Sequence, residues 1–224
     1  MIMDTARIHF SNRDILLLFL PIAGELLLHY TVGIVDSIMV ASVGEAAVSG
    51  VSLMDFVISF FNSLLTALAV GGTVVIGQYL GNADRLRAAD AAVQMVLLMA
   101  LAGTLLALAA YALQPFITGR LFGDLAPDVR RHADVYFGIL AASLPFMGVY
   151  SAGAAVFRSI GNTVLPLRIM ILANVLNVAG NAVLIYGFDM ETEGIALPTL
   201  AVRVLSAAAI LLLLAVYARR RGVV

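Results

Sequence analysis

Residues Ile15–Val43 read ILLLFLPIAGELLLHYTVGIVDSIMVASV. A membrane span takes about 20 predominantly apolar residues, and this run is long enough to be one. Three ionisable residues, Glu25, His29 and Asp36, interrupt it. They fall at i, i+4 and i+11, and about three helical turns separate the first from the last, so all three share one face. Gly33 leaves room on that same face. A charge in the bilayer costs about 2.5–3.5 kcal/mol on insertion scales and turns toward a cavity or a partner helix. Asp36 is the deepest acid in the pattern. A carboxylate there binds a proton or a Na⁺ ion: an apolar surround favours the proton and a polar cage the ion. A structural hydrogen bond to a neighbouring helix is the alternative, and both readings are open for Glu25 and His29 as well. Arg7 and Arg13 precede the run. The ionisable residues within it, and the lack of a clear cleavage site, argue for a retained helix rather than a signal peptide.

The rest of the chain repeats the pattern. Further spans are expected at Leu53–Leu80, Ala91–Leu113, Val135–Phe157, Leu165–Phe188 and Ile195–Tyr217, giving an all-α membrane protein with six transmembrane helices in one lobe. The breaks carry turn residues and charge, as in Gly81-Asn82-Ala83-Asp84 and Gly161-Asn162-Thr163. The stretch 117–134 is too polar to span. It is expected either as a short helix lying on the outer membrane surface or as a solvated loop. Composition agrees: 62% of the 224 residues are hydrophobic and 12% charged, against about 45–50% and about 25% in soluble domains. Mean hydropathy is +1.03. The bilayer has to act as solvent for a surface this apolar.

Arginine placement sets an orientation. Arg7, Arg13, Arg85, Arg87, Arg158, Arg168, Arg219, Arg220 and Arg221 fall on one side of a six-span chain, and Arg120, Arg130 and Arg131 on the other. Both termini are therefore expected in the cytoplasm, with the chain in the cell's inner membrane. Arg203 lies within the sixth span and counts for neither side.

Polar stripes mark the other spans. Asp55, Ser59, Asn62 and Thr66 share one face of the second, with Asp55 expected near the outer surface and in water. Such hydroxyls and amides either glue helices together or line a cavity. Asn174, Asn177 and Asn181 form a ladder of amides on the fifth span. Hard cations prefer oxygen ligands, and an amide can also bond a carboxyl without neutralising it. The sixth offers Thr199, Arg203 and Ser206, and Arg203 needs a counter-charge or a route to water.

Several classes drop out. The formal net charge of −1 gives no bulk attraction for nucleic acid, and the absence of cysteine removes disulfides, thiolate metal sites and cysteine nucleophiles. There is no P-loop, HExxH or GxSxG, and His9, His29 and His132 are far apart. No enzyme and no resident cofactor or metal is expected, beyond Na⁺ or H⁺ at Asp36 as a coupling ion.

Four segments together resemble a known family. They are Pro21 with Val35-Asp36-Ser37-Ile38-Met39-Val40, then Gly77-Gln78-Tyr79-Leu80-Gly81-Asn82-Ala83-Asp84, then Phe157-Arg158-Ser159-Ile160-Gly161-Asn162-Thr163 with Pro166, and Asn174-Val175-Leu176-Asn177 through Ile185-Tyr186-Gly187. In this order and spacing they resemble the N-terminal half of a MATE (multidrug and toxic compound extrusion) transporter, over essentially the whole chain. The resemblance implies secondary active export of organic cations or other amphipathic drugs, driven by Na⁺ or H⁺. It maps a cation site onto Asp36, Asn177, Asn181 and Thr199. The polar stripes themselves offer Glu25, His29, Asn62, Asn174 and Arg203 as further residues of a cavity. Some relatives carry a second aspartate where Asn181 stands, so coupling through Asp36 alone or through protonation gains weight. A full member consists of two such lobes. The implied partners are membrane lipid, a small amphipathic or cationic substrate, and either a second copy in a homodimer or a second lobe. The alternatives are a flippase for lipid-linked precursors and an inactive half or scaffold.

Overall fold

The computed structural model describes residues 11–220. Arg7, His9 and Arg221 of the sequence reading lie outside the described residues. Helix α1 (Asn12–Ala41), α2 (Glu45–Gly81) and α3 (Arg85–Phe116) are joined by tight turns. A π-helical turn, Ile117–Leu121, prolongs α3. Helices α4 (Pro127–Ala141) and α5 (Leu144–Ser159) follow, then α6 (Val164–Ala182) with its own π-helical extension Val183–Gly187, and α7 (Glu193–Arg220). Five of these helices are long and apolar enough to cross a membrane, and α4 and α5 together supply a sixth crossing. The all-α, six-span lobe expected from the sequence is what the chain forms. We call the end holding the start of α1 and the end of α7 the terminal face, and the opposite end the loop face.

The fourth span differs from its expected course. It begins at Pro127 rather than near residue 135, and it bends by 45° between Ala141 and Leu144. Both features have a proline behind them. Pro127 and Pro145 each sit in the first turn of a helix, where a missing N–H costs nothing. Ala126 is extended at ψ 141, as a residue before proline prefers. The polar stretch 117–134 is therefore neither a surface helix nor a free loop. Its two ends belong to the prolonged α3 and to the first turns of α4.

The core mixes large side chains such as Phe137, Met54, Leu65 and Ile210 with small ones. Ala133, Ala141, Ala152, Ala154 and Ala196 are fully enclosed, whereas Leu27 is 69% and Ile38 66% exposed. Lipid is as apolar as leucine, so small residues matter here because they let membrane helices approach closely. The turns at the terminal face follow helix-end chemistry. Asp84 accepts the N–H of Arg87 at 3.1 Å and so caps α3. Gly161, at φ +79, closes α5: its N–H reaches the Arg158 carbonyl at 3.0 Å, and that of Asn162 reaches Phe157 at 2.9 Å. Asn162 Oδ1 then accepts from the Leu165 N–H at 3.2 Å, starting α6. On the loop face, Arg131 pairs with Glu191, and His132 Nδ1 meets Thr192 Oγ1 at 2.6 Å, tying α4 to the entry of α7.

Candidate functional site

Helices α1, α2, α4, α5, α6 and α7 line a cleft of about 740 Å³, of the size that holds a drug-like molecule. Asp36 lines it from α1. Asn181 of α6, fully buried, donates from Nδ2 to Asp36 Oδ1 at 2.7 Å. Asn177 lies one turn earlier on α6, and its surroundings orient its amide. With Nδ2 toward α1 it donates to Asp36 Oδ1 at 3.2 Å, and its Oδ1 accepts from the Thr199 hydroxyl at 2.9 Å and the Thr199 N–H at 3.3 Å. Turned over, it would donate to Thr199 Oγ1 and set its oxygen against the carboxylate, so the first orientation is the consistent one. Asp36, Asn177, Asn181 and Thr199 thus meet in one network across α1, α6 and α7.

The close approach of α6 and α7 makes this possible. Gly180 faces Pro198, and a Cβ at Gly180 would come to 2.9 Å from the proline ring. The neighbouring residues, Asn181 and Thr199, are thereby held in register. Both amides turn N–H groups toward Asp36, the pattern that solvates an ionised carboxylate. Asn181 Oδ1 is buried with no partner. It is an unused acceptor beside the acid.

The remaining candidates separate. His29, Asn62, Asn174 and Arg203 line the same cleft. Asn174 also donates to the Leu28 carbonyl at 3.4 Å, and Asn62 Oδ1 is buried without a partner. Glu25 is not part of the cleft lining. It is buried toward the terminal face, where Arg158 Nη2 donates to its Oε2 at 2.6 Å. Arg203 Nη1 donates to Ser143 Oγ at 2.6 Å, and none of the ion pairs among the described residues includes it.

Three residues enter the site that sequence reasoning did not place there. Asp55 lines the cleft and accepts from the Tyr136 hydroxyl at 2.7 Å. Ser143 stands at the bend between α4 and α5 and gives its own proton to the Leu140 carbonyl at 2.6 Å, leaving a lone pair for Arg203. A signal for Ser143 existed in Ser143-Leu144-Pro145, since proline two residues on marks a helix break. Among the described residues, no group of three or more His, Asp or Glu converges on a metal-sized site.

The MatE family profile matches residues 21–183, most of the chain. The chain belongs to the MatE family. MatE proteins are membrane transporters and not enzymes. The chain is 25% identical over 202 residues to the probable multidrug resistance protein NorM of Thermotoga maritima, covering 88% of this chain and 43% of that protein. It is equally close, 25% over 199 residues, to the uncharacterized transporter YisQ of Bacillus subtilis, covering 86% and 43%. Among solved structures, a MOP superfamily transporter from Pyrococcus furiosus matches with a TM-score of 0.82 at 22% identity, over 88% of this chain and 43% of that one. A MATE family multidrug resistance transporter in an outward-facing conformation matches with a TM-score of 0.80 at 22% identity, over 88% and 43%. The fold is therefore that of a MatE lobe. The chain spans less than half the length of the curated relatives it matches.

Proposed function

We propose that this MatE lobe serves secondary active export of amphipathic or cationic solutes, coupled at Asp36, with both chain termini in the cytoplasm. One observation carries the reading: a single carboxylate, Asp36 on α1, holds amides from α6 that in turn hold Thr199 on α7. Its charge state sets the contacts of three helices that wall the cleft. The donor set favours H⁺ over Na⁺ as the coupling ion. One acid serves the cluster, and its amides offer N–H groups rather than the oxygens a hard cation needs. When Asp36 takes a proton, Asn181 turns over so that its unused Oδ1 accepts the new O–H. α1 then repacks on α6 and α7, with Pro21 as the weak point where the helix lacks a backbone hydrogen bond. Repacking reshapes the cleft and releases substrate outward, by alternating access.

The test is dye efflux in vesicles with an inward proton gradient imposed. The native chain is expected to drive efflux, and Asp36→Asn, which keeps the shape and loses the charge change, to reduce it at least about tenfold. Undiminished efflux in the variant removes Asp36 from the coupling step.

Ile38 lines the cleft and is 66% exposed, and Phe60 of α2 is exposed as well. A second lobe closes the cleft in our reading, and a second copy of this chain has the right topology. With an even number of spans, two copies insert alike and relate by a two-fold axis along the membrane normal. The sequence has no cysteine, so a single Ile38→Cys or Phe60→Cys introduces the one thiol. Short cross-linkers in native membranes are expected to trap a dimer of the chain. Adducts to a different polypeptide, or monomers alone, contradict the homodimer.

A further inference from the structure

A second groove lies away from the cleft and shares no lining residue with it. Helices α3 and α7 both pack on α5. Between them, over α5 and the end of α2, they leave a groove of about 680 Å³. Small side chains make the room, Ala88 and Ala92 on α3 and Ala215 and Ala218 on α7. The groove starts at the terminal face, where Arg85 opens α3 and Tyr217 stands in the last turn of α7. It follows α3 down to Leu97, about 18 Å along the helix axis from Arg85. One leaflet of hydrocarbon is about 15 Å deep, half of the bilayer core.

The chemistry changes along that length. Below the mouth the lining is apolar apart from Ser159, whose hydroxyl donates to the Ala155 carbonyl at 2.9 Å. At the mouth the charge is positive. No acid is among the described residues that line the groove. Arg87 is paired with Asp84 and Arg158 with Glu25, but none of the ion pairs among the described residues includes Arg85. Asp90 is turned about 140° around α3 from Arg85. Arg219 is exposed and follows Ala215 by one turn, so it adds positive charge to the same rim. Tyr217 packs edge-on against Phe157, ring centres 6.2 Å apart. Such amphipathic rings sit at the headgroup level of a membrane.

We propose that this groove is a binding site for one anionic phospholipid, with its phosphate on Arg85 and an acyl chain lying along α3 as far as Leu97. A cation above an apolar groove one leaflet deep matches a charged headgroup joined to a tail. A water-soluble anion would use the arginine and leave the apolar length unfilled. A zwitterionic lipid would fill the length but set its own cation against Arg85 and Arg219. In the orientation proposed above, the terminal face is cytoplasmic, the side on which basic pockets between membrane helices meet anionic headgroups. The site does not require coupling at Asp36.

The chain has no Trp, so one introduced Trp reports on one place. Leu97 lines the groove; Leu98, next on α3, sits at nearly the same depth outside the lining, and both are exposed. Leu97→Trp and Leu98→Trp are reconstituted in liposomes of phosphatidylglycerol and phosphatidylcholine, with one lipid at a time carrying brominated acyl chains that quench Trp on contact. For Leu97→Trp, half-maximal quenching is expected at a mole fraction of brominated phosphatidylglycerol at least about fivefold lower than of brominated phosphatidylcholine, the worth of one arginine near an anionic headgroup. For Leu98→Trp the two lipids are expected to quench alike. Adding Arg85→Ala to Leu97→Trp is expected to lower the preference about fivefold. Arg85 is exposed and in none of the described ion pairs, so its loss leaves folding intact. Equal quenching by the two lipids at Leu97→Trp overturns the proposal. So does the same preference at Leu98→Trp, which marks a general lipid shell, or an unchanged preference after Arg85→Ala. Quenching at Leu98→Trp with none at Leu97→Trp shows a groove filled by protein and overturns it too.

Discussion

Replacing Glu25 with Leu while leaving Arg158 in place is expected to destabilise the fold by about 3–5 kcal/mol, a loss of about 10 °C in Tm for a chain this long. The Glu25 side chain is 6% exposed and that of Arg158 28%, at a separation of 2.6 Å. Removing one member leaves the other charged and poorly hydrated, which is the expensive way to break such a pair. The double variant Glu25→Leu with Arg158→Met removes both charges and is expected to recover most of the loss. The pair is incompletely satisfied as it stands, since Glu25 Oε1 and Arg158 Nε have no partners. Its value therefore lies less in stability than in register. It sets α1, one turn beyond Pro21, against the end of α5. Thermal unfolding of both variants in one detergent checks this. A single variant within about 1 kcal/mol of the native chain contradicts it.

Gly148→Val is expected to cost about 3 kcal/mol or more, at the upper end of what overpacking does. Helices α3 and α5 meet at backbone distance. A Cβ at Gly148 would strike the Met99 carbonyl oxygen, and one at Gly103 would lie 2.6 Å from that of Leu144. Neither obstacle is the tip of a flexible side chain, so the helices themselves would have to part. This interface fixes α5 and hence the bend at Ser143 that orients Arg203. Gly71 is the control. A Cβ there meets nothing within 4 Å, and Gly71→Ala in the middle of α2 is expected to stabilise by up to about 1 kcal/mol. Folded yield and Tm of the two variants are expected to move in opposite directions.

Much of the site could be read from the chain because it is periodic. Asp36, the amide ladder Asn174, Asn177 and Asn181, and the pair Thr199 and Arg203 each obey helical spacing, so their faces were legible. The structure brings Asp36, Asn177, Asn181 and Thr199 together. What was not legible was which faces meet. Glu25 shares a stripe with Asp36, but its partner Arg158 lies 133 residues away in sequence, and the pair forms outside the cleft. Asp55 reads as a water-exposed acid at a helix end, and only the entry of Tyr136 from α4 makes it part of the cleft. The fourth span looked continuous because its hydropathy is continuous. Pro127 at its start and Pro145 just after its bend act on steric grounds that a hydropathy window does not register. The sequence motifs at residues 77–84 and 157–163 turn out to be helix stops and starts. Asp84, Gly161 and Asn162 in them are explained by capping.

The central claim is that Asp36 exchanges a proton against substrate. The most direct measurement is proton release by the purified chain in weakly buffered detergent, followed with a pH-sensitive dye as rhodamine B is added at a pH where Asp36 begins protonated. The account predicts release of about one proton per chain on saturation, as reciprocal linkage between two ligands requires, and none from Asp36→Asn that still binds the dye. No release from the native chain, or the same release from Asp36→Asn, would contradict it.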